Sequence, residues 1–531
     1  MQQLKNQHVL ILGLGASGLA MARWCVRWGA QVTVSDTREA PPQLATLRRE
    51  LPEVNFVSGA FDAALLVSAA GPSQGAKAPS GGSVVHEVTS VGAMFEGSDI
   101  RAVFKSPGLP PASVAAVMRA AQALGLWTGG ELSLFTQGLT DLKASRDYNP
   151  KVLAITGTNG KTTVTALTGQ LVERAGKTVA VAGNIGPTLL DTLSQRLDAD
   201  SLPEVWVLEL SSFQLDGMTG FEPSAATVLN LSQDHLDWHG SMEAYAAAKA
   251  RIFGDTGLMI LNRDDPLVMA MLPLPLKGRQ DRNGVTFGGD MPQRPGDFGL
   301  EQVNGMVWLV RALEADETRK KRKGDAEEEL HIQRLMPADA LRIRGRHNAV
   351  NALAALALAA AAGCSLAPML YGLREYRGEP HRVESVGIIS DVEFFDDSKG
   401  TNVGATVAAL NGLGAERRVV AILGGEGKGQ DFTPLAAPVA RYARAVLLIG
   451  RDAPRIRAAL ASSGVPLADA ASMAEAVAQA NRLAHAGDAV LMSPACASFD
   501  MFDNYEHRAR VFCAAVTELA HAAGVHDGGG A

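Results

Sequence analysis

The stretch KVLAITGTNGKTTVTALTGQLVERAG, residues 151–176, decides how the rest of the chain is read. Its first five residues have the length and apolar content of a buried strand, and TALTGQLVERAG after the loop has helical character. Between them lie Gly157, Thr158, Asn159, Gly160, Lys161, Thr162 and Thr163. Two glycines let backbone N–H groups crowd around an anion, a lysine reaches β- and γ-phosphates, and a hydroxyl serves Mg²⁺. The Walker pattern G-x-x-x-x-G-K-[ST] asks for a glycine where this chain has Ile155. A shorter loop still forms an anion nest at a helix N-terminus, so the expectation is a nucleotide loop between a strand and a helix.

On either side, short apolar runs alternate with helical stretches: HVLILGLG, QVTVSD, VWVLEL, AATVLNL, RVVAILGG, AVLLIG and AVLMSP. Such alternation comes from βαβ units and mostly parallel sheets, which places the chain in the α/β class. Polar, turn-rich residues 138–150 and the segment YRGEPHR at 376–382 interrupt it. They predict three domains, 1–139, 140–378 and 379–531, each a mostly parallel sheet with flanking helices. The first and third are expected to be Rossmann-like and the central one a P-loop-type ATPase. Residues 68–83, low in apolar content, and 314–329, dense in charges of both signs, look like surface insertions. RKKRK at 319–323 is flanked by acids, so a solvated face is the favoured reading over a nucleic-acid patch.

Composition narrows the function. At 531 residues and 47% apolar, the chain is too long for a single core. A net charge of -7 disfavours nucleic acid as a partner, while leaving room for a local phosphate pocket. Cys25, Cys364, Cys496 and Cys513 lie far apart with no C-x-x-C pair, so neither zinc nor a disulfide framework is expected. The longest small-apolar run, residues 352–362, is too short to span a membrane. MQQLKNQHVLILGLG carries no basic segment ahead of a long apolar one, so a cytoplasmic protein is expected.

Gly13, Gly15 and Gly18 in GLGASG match G-x-G-x-x-G after a strand and at the start of a helix, and Asp36 ends the next strand. Glycines there let a diphosphate approach the backbone at the positive end of a helix, although a tight turn without ligand shares the pattern. The motif does not choose among NAD, FAD and a nucleotide sugar. Glu209 ends the strand in VWVLELSSF as an acid serving Mg²⁺ would, directly or through water. Asp234, His235 and Asp237 follow another strand, and Lys249 sits in the helical AAAKARIF, where a lysine is ordinarily a snorkelling surface residue. DDSKGTN, GGEGKGQDF and SPACASFD each follow a strand-like run, so these three loops can border one cleft beyond the strand ends. Lys399 and Lys428 within them suit a small carboxylate-bearing substrate, or are two unrelated surface lysines.

Taken in order, these motifs resemble those of the Mur ligases, the ATP-dependent amide-bond-forming enzymes of peptidoglycan synthesis. The resemblance spans nearly the whole chain: GLGASG, SPG with Ser106 and Gly108, TGTNGKTT, GNIG with Asn184, LELSSFQL with Ser211, DHLDWHG, AAKARIF, GRHNAVNALAA, PHRVE, DDSKGTN, GGEGKG and SPACASFD. It implies a ligase that joins D-glutamate to UDP-N-acetylmuramoyl-L-alanine through an acyl phosphate, working as a monomer on small molecules, with no nucleic acid or membrane partner. ATP and two Mg²⁺ ions are the implied cofactors, together with a carbamate on Lys249. By position, residues 157–163 would cradle the ATP phosphates, with Lys161 on the γ-phosphate, Thr162 and Glu209 on the first Mg²⁺, and His235 and Lys249 on the second. Asn348, Arg382 and Asp397 match nucleotide contacts, and Asn184 lies by the phosphates. Asp36, Thr37 and Arg38 fall where the uridine is held, while Lys399, Thr401, Lys428, Ser498 and Phe499 surround the incoming D-glutamate.

Ala509 after Arg508, where the family commonly has glycine, Tyr505 in place of a phenylalanine, and the extra length all depart from the family pattern. Three alternatives stay open at this point: a ligase adding a different amino acid, an NAD-dependent oxidoreductase built on GLGASG, and a non-catalytic nucleotide switch.

Overall fold

A computed structural model describes residues 3–66, 99–273, 284–315 and 330–524. The insertion expected at 68–83, the RKKRK segment and all but the first two residues of 314–329 lie outside the described residues. The chain forms two compact units, one of Met1–Thr156, Lys177–Ala226 and Asp237–Gly257, the other of Gly157–Gly176, Thr227–Leu236 and Leu258–Ala531.

In the first unit, β1 (His8–Leu12), β2 (Gln31–Asp36), β3 (Asn55–Ser58), β4 (Ile100–Lys105) and β5 (Trp127–Gly129) form a parallel sheet in the order β3-β2-β1-β4-β5. All five residues of β1 are buried, as expected of a central parallel strand covered on both faces. The strand order reverses between β1 and β4, and the crevice past their carboxyl ends is where such sheets take ligands. GLGASG follows β1 there, and Ser106 follows β4. The unit also holds β6 (Lys151–Thr156), β7 (Val179–Gly183) and β8 (Val205–Glu209), with β6 and β7 pairing in parallel on either side of β8. The next strand, β9 (Ala225–Val228), begins in the first unit and ends in the second.

In the second unit, β10 (Leu258–Asn262) pairs in parallel with β11 (Gly284–Phe287). Three strands, β12 (Phe298–Val303), β13 (Met306–Glu314) and β14 (Leu330–Pro337), make an antiparallel meander that the sequence reading did not anticipate. Its first turn is Asn304-Gly305, both at positive φ (50° and 82°), the backbone that a two-residue hairpin asks for. Residues 314–329 therefore join two paired strands. The last sheet runs β15-β16-β20-β17-β18-β19, built from Glu384–Ile389, Val392–Asp396, Ala489–Met492, Val419–Gly424, Ala443–Ile449 and Leu467–Asp469 in that spatial order. Only its edge strand β15 is antiparallel. The helix Arg346–Ala361 is apolar nearly all round, and its residues 352–359 are almost fully buried, which suits a helix enclosed by protein. It packs against the helix Lys161–Arg174 that follows the loop. The molecule is thus mixed α/β with several mostly parallel sheets flanked by helices, as the apolar runs predicted.

One glycine in the first unit is irreplaceable on steric grounds. A Cβ on Gly18 would lie 2.0 Å from the carbonyl oxygen of Gly13, a backbone atom with nowhere to go. Gly18→Ala is expected to destabilise this unit by on the order of 1–3 kcal/mol. Urea unfolding followed by far-UV circular dichroism checks it, and an unchanged midpoint would refute this account of the turn.

Candidate active site

The loop answers the question raised by Ile155. That residue lies within β6, fully buried and paired with Glu209 across β8, so the position of the missing glycine belongs to the strand. The turn starts later, at Gly157 (φ 150°), and ends at Gly160, whose φ of 83° caps the helix. Side chains are disfavoured at both: a Cβ at Gly157 would come within 2.9 Å of Leu229 Cβ, and the backbone at Gly160 is left-handed. Asn230 clamps the loop, accepting from the Asn159 N–H at 2.9 Å and donating to the Asn159 carbonyl at 3.0 Å. The Thr158 hydroxyl donates to the Ser232 carbonyl and accepts from the Ser232 N–H. Lys161 curls back, its ammonium donating to the Gly157 and Thr158 carbonyls at 2.9 Å each. An anionic phosphate is a stronger acceptor than these two neutral carbonyls and can draw the ammonium off them.

A cleft of about 120 Å³ in the second unit is lined by Asn159, Gly160, Asn348, Arg382, Asp397 and Lys399. The structure therefore gathers the expected nucleotide contacts Asn348, Arg382 and Asp397 beside the loop. Arg382 Nη2 donates to Thr162 Oγ1. Asn348 donates to the Arg344 carbonyl at 2.8 Å and accepts from Asn351 at 3.2 Å. His381 and Val383 on either side of Arg382 both have positive φ, 64° and 51°. For a β-branched residue this is strained, at a cost of on the order of 1–3 kcal/mol. A brace holds the segment: His381 Nδ1 is 2.7 Å from Asp396 Oδ2, and the His381 N–H donates to Glu384 at 2.8 Å. Their ligand atoms lie within 4.8 Å of one another, close enough to grip a cation, yet each already has a role in pointing Arg382 into the cleft. Single-residue reasoning passed over His381 and Asn351, although both stand inside the quoted PHRVE and GRHNAVN.

Burial pushes the Asp397 carboxyl up to about 7, against the opposing pull of the Ser493 hydroxyl and Arg382. The folded protein thus keeps a proton that the unfolded chain, with a carboxyl near ~3.9, has released, so this group costs stability as pH rises from about 4 to about 7. Asp397→Asn is expected to gain thermal stability relative to the parent at about pH 8 compared with about pH 5. An equal difference in Tm at both pH values would sink this assignment.

The three strand-end loops of the last sheet do meet. Ser493 Oγ donates to Asp397 at 2.6 Å and the Ala495 N–H to the Gly400 carbonyl at 3.0 Å, while Glu426 and Ala497 exchange two backbone hydrogen bonds at 2.9 Å. Lys399 Nζ lies 3.6 Å from the centre of the Tyr505 ring, and the Thr401 N–H bonds the Lys399 carbonyl. Lys428 Nζ is 5.6 Å from the Phe499 ring, which is 63% exposed, whereas Ser498 is buried. Arg508, fully buried, ties two of these loops by donating to the Cys496 and Ser398 carbonyls. Ala509 is buried beside it.

In the first unit the Ser106 hydroxyl donates to the Gly13 carbonyl at 2.9 Å. Nothing lies within 4 Å of where a Cβ would project from Gly15 or Gly108, so both face open space among the described residues. Asp36 accepts from the Leu14 N–H at 2.7 Å with one oxygen and is gripped by the Arg38 guanidinium at 2.8 Å through both. Although burial raises its pKa, Arg38 and the Leu14 N–H outweigh that and hold it at about 2. The acid that an NAD reading would assign to a ribose is thus committed inside the chain. Arg38 and Thr37 remain exposed.

Glu209, 3% exposed at the end of β8, accepts from Asn184 Nδ2 at 3.0 Å, and the Asn184 N–H bonds the Glu209 carbonyl at 2.8 Å. Ser211 caps the next turn with its hydroxyl. Lys249, read from composition as a snorkelling lysine, is 1% exposed: its ammonium donates to Thr156 Oγ1 at 3.2 Å and lies 4.7 Å from the Tyr245 ring centre. Its surroundings correct the surface reading. In the second unit, His235 is exposed at φ 53°, 3.6 Å from Asp234, whose carboxylate accepts from Asn402. Asn402 also bonds Asn159 of the loop. Glu209 and Lys249 thus belong to the first unit, and Thr162 and His235 to the second.

Comparison with known proteins settles the family. Models described as the Mur ligase MurD-like N-terminal domain, the Mur ligase middle domain and the Mur ligase glutamate ligase domain match residues 7–71, 155–359 and 381–496. A protein of Albidiferax ferrireducens named UDP-N-acetylmuramoylalanine--D-glutamate ligase is 71% identical over 99% of this chain and 98% of its own length. The chain belongs to the Mur ligase family. A Polaromonas protein of the same name is 59% identical to this Mur ligase over 99% of its chain and 100% of the relative. Among solved structures, the MurF ligase of Thermotoga maritima in complex with ADP superposes with a TM-score of 0.55 at 14% identity, covering 98% of this Mur ligase and 100% of that chain. The UDP-N-acetylmuramate-alanine ligase of the same organism gives 0.50 at 20% identity, with 97% and 100% covered. At such identities the likeness is one of fold.

Proposed function

We propose that this Mur ligase adds D-glutamate to UDP-N-acetylmuramoyl-L-alanine in peptidoglycan synthesis, consuming ATP and releasing ADP and phosphate. The observation that carries the reading is the end-to-end 71% identity to a protein bearing that name. The loop at residues 157–163 and its adjoining cleft supply the ATP site that the reaction needs.

The domains proposed are 1–139 for the UDP-sugar, 140–378 for ATP, and 379–531 for the amino acid; each of the three matched segments falls within one of them, which supports the division. The reading also makes the protein a cytoplasmic monomer acting on small molecules.

The chemistry is an attack of anion on anion, so its barrier is electrostatic. The alanyl carboxylate attacks the γ-phosphorus, the bond to the β-phosphate oxygen breaks, and an acyl phosphate forms with ADP leaving. The uncharged amine of D-glutamate then attacks the acyl carbon, the tetrahedral intermediate expels phosphate, and the amide nitrogen gives up a proton. Lys161 and the loop N–H groups would take the charge on the γ-phosphate in the first step and on the departing phosphate in the second. Arg382, held beside Thr162, would fix the nucleotide. Lys399, Thr401, Lys428, Ser498 and Phe499 would orient D-glutamate, with the two lysines facing its carboxylates.

The residues present fit the cofactors the family implies. Glu209 is a nearly buried carboxylate with one neutral amide donor and lone pairs to spare, and Lys249 is a buried amine beside a hydroxyl. Glu209 and a carbamate formed by Lys249 with CO₂ would offer oxygens to Mg²⁺ in the first unit, and Thr162 and His235 would offer ligands to it in the second. Such ions would supply positive charge to screen the phosphates.

The test is phosphate release from ATP with Mg²⁺ and UDP-N-acetylmuramoyl-L-alanine, comparing D-glutamate, L-glutamate, L-alanine and a diamino acid. Release with D-glutamate alone is the expected outcome. Release with another amino acid would keep the family and change the substrate, and none with any of them would overturn the reading.

A further inference from the structure

The segment DWH, residues 237–239, takes no part in the reaction described above, yet it sits at the hub of an aromatic cluster within the first unit. His239 Nε2 is 2.9 Å from Ser212 Oγ, and the ring stacks on Phe213 at 5.8 Å between centres with 11° between planes. The Tyr245 ring lies 5.2 Å away at 59° to it, and Trp238 packs on both Phe213 and His239 at 4.8 and 4.5 Å. His239 thus touches both segments that carry proposed metal ligands. Ser212 and Phe213 open the turn that follows Glu209 by three residues, and Tyr245 belongs to the helix Met242–Ala250 that bears Lys249. Tyr245, 1% exposed, places its ring face 4.7 Å from Lys249 Nζ.

We propose that His239 is a positioning residue: by bonding Ser212, stacking on Phe213 and packing at a tilt against Tyr245, it sets the separation and orientation of Glu209 and Lys249. The inference rests on the proposed metal roles of those two residues. The sheet gives one tie between the two ligands, since Lys249 bonds Thr156 next to Ile155, which pairs with Glu209, and a second tie further restricts their drift, misplacement of about 1 Å being costly in a preorganised site. One hydrogen bond and two ring contacts from His239 to the two segments supply that second tie without touching substrate.

The experiment uses the full-length enzyme and reads metal binding apart from turnover. Mn²⁺ affinity is measured by electron paramagnetic resonance with a non-hydrolysable ATP analogue for the parent, His239→Ala, His239→Phe, His239→Asn and Glu209→Gln. The expected result is an affinity about tenfold weaker in His239→Ala, equivalent to about 1.4 kcal/mol. Intermediate losses are expected in His239→Phe, which keeps the stack, and in His239→Asn, which keeps a polar reach to Ser212. The apparent Mg²⁺ constant for activity should rise in parallel while KM for D-glutamate stays unchanged, a split that general destabilisation would not produce. Parental affinity in His239→Ala alongside weakened binding in Glu209→Gln would overturn the proposal and leave the metal reading standing. Parental affinity in Glu209→Gln would overturn the metal reading, and the proposal with it. Should His239→Ala fail to fold, Ser212→Ala deletes only the hydroxyl and is expected to weaken Mn²⁺ two- to threefold, no change counting against the proposal.

Discussion

Replacing Lys161 by alanine is expected to abolish ATP turnover while leaving the protein folded. The ammonium sits at the mouth of the loop, donating to two backbone carbonyls at the N-terminus of the helix Lys161–Arg174. On the proposed reading, its loss removes a full positive charge from where the transferred phosphoryl group would gather negative charge. Deleting a single preorganised donor from such a site costs on the order of 10²–10³ in kcat, and a charged one at least as much. Stability should hardly change, because the side chain is only part-buried and the carbonyls it leaves can be solvated. Phosphate release and thermal melting together check this: activity above a few per cent of parental would mean that the loop is structural.

Lys249→Ala carries the second large effect, inactivity that added short carboxylates partly relieve. A buried amine beside Thr156 is an unusual thing for a protein to keep, since desolvating a charge is expensive. Uncharged, however, the same amine can add CO₂, forming the N–C bond of a carbamate and releasing one proton, and the product supplies oxygen donors where a lysine supplies none. Alanine leaves behind the space of a four-carbon stem, and formate or acetate can enter it to restore an oxygen. Recovery should saturate with carboxylate concentration and be absent in Lys249→Arg, whose longer side chain fills the space without accepting CO₂. Full activity of Lys249→Ala without additives would refute the proposed role, and a lack of rescue by any small carboxylate would argue for a packing function.

Much of the fold was legible because its signals are local. A strand of the length of KVLAI, a glycine at each end of a tight turn and a helix after it announce themselves within a dozen residues, and the same grammar repeats in GLGASG after β1. Ile155 shows the limit even there: the consensus counts a glycine at that position, but the backbone enters its turn only at Gly157, after a strand residue paired with Glu209. The meander β12 to β14 went unread because antiparallel pairing depends on which strands meet, and the charged stretch between β13 and β14 carried no strand signal.

Residue type and spacing, by themselves, determined the α/β class, the strand, glycine-bounded turn and helix at residues 151–174, and the set of strand-end loops, since backbone conformation and periodicity answer to neighbours in sequence. Only the tertiary structure decided which side chains are shielded and whom they meet. It buried Lys249 against Thr156 and Tyr245, turned Asp36 inward to Leu14 and Arg38, braced Arg382 with His381 and Asp396, and set His239 between two segments. Burial and charge pairing are properties of groups far apart in the chain, and it is they that turn a common lysine or aspartate into a candidate for chemistry.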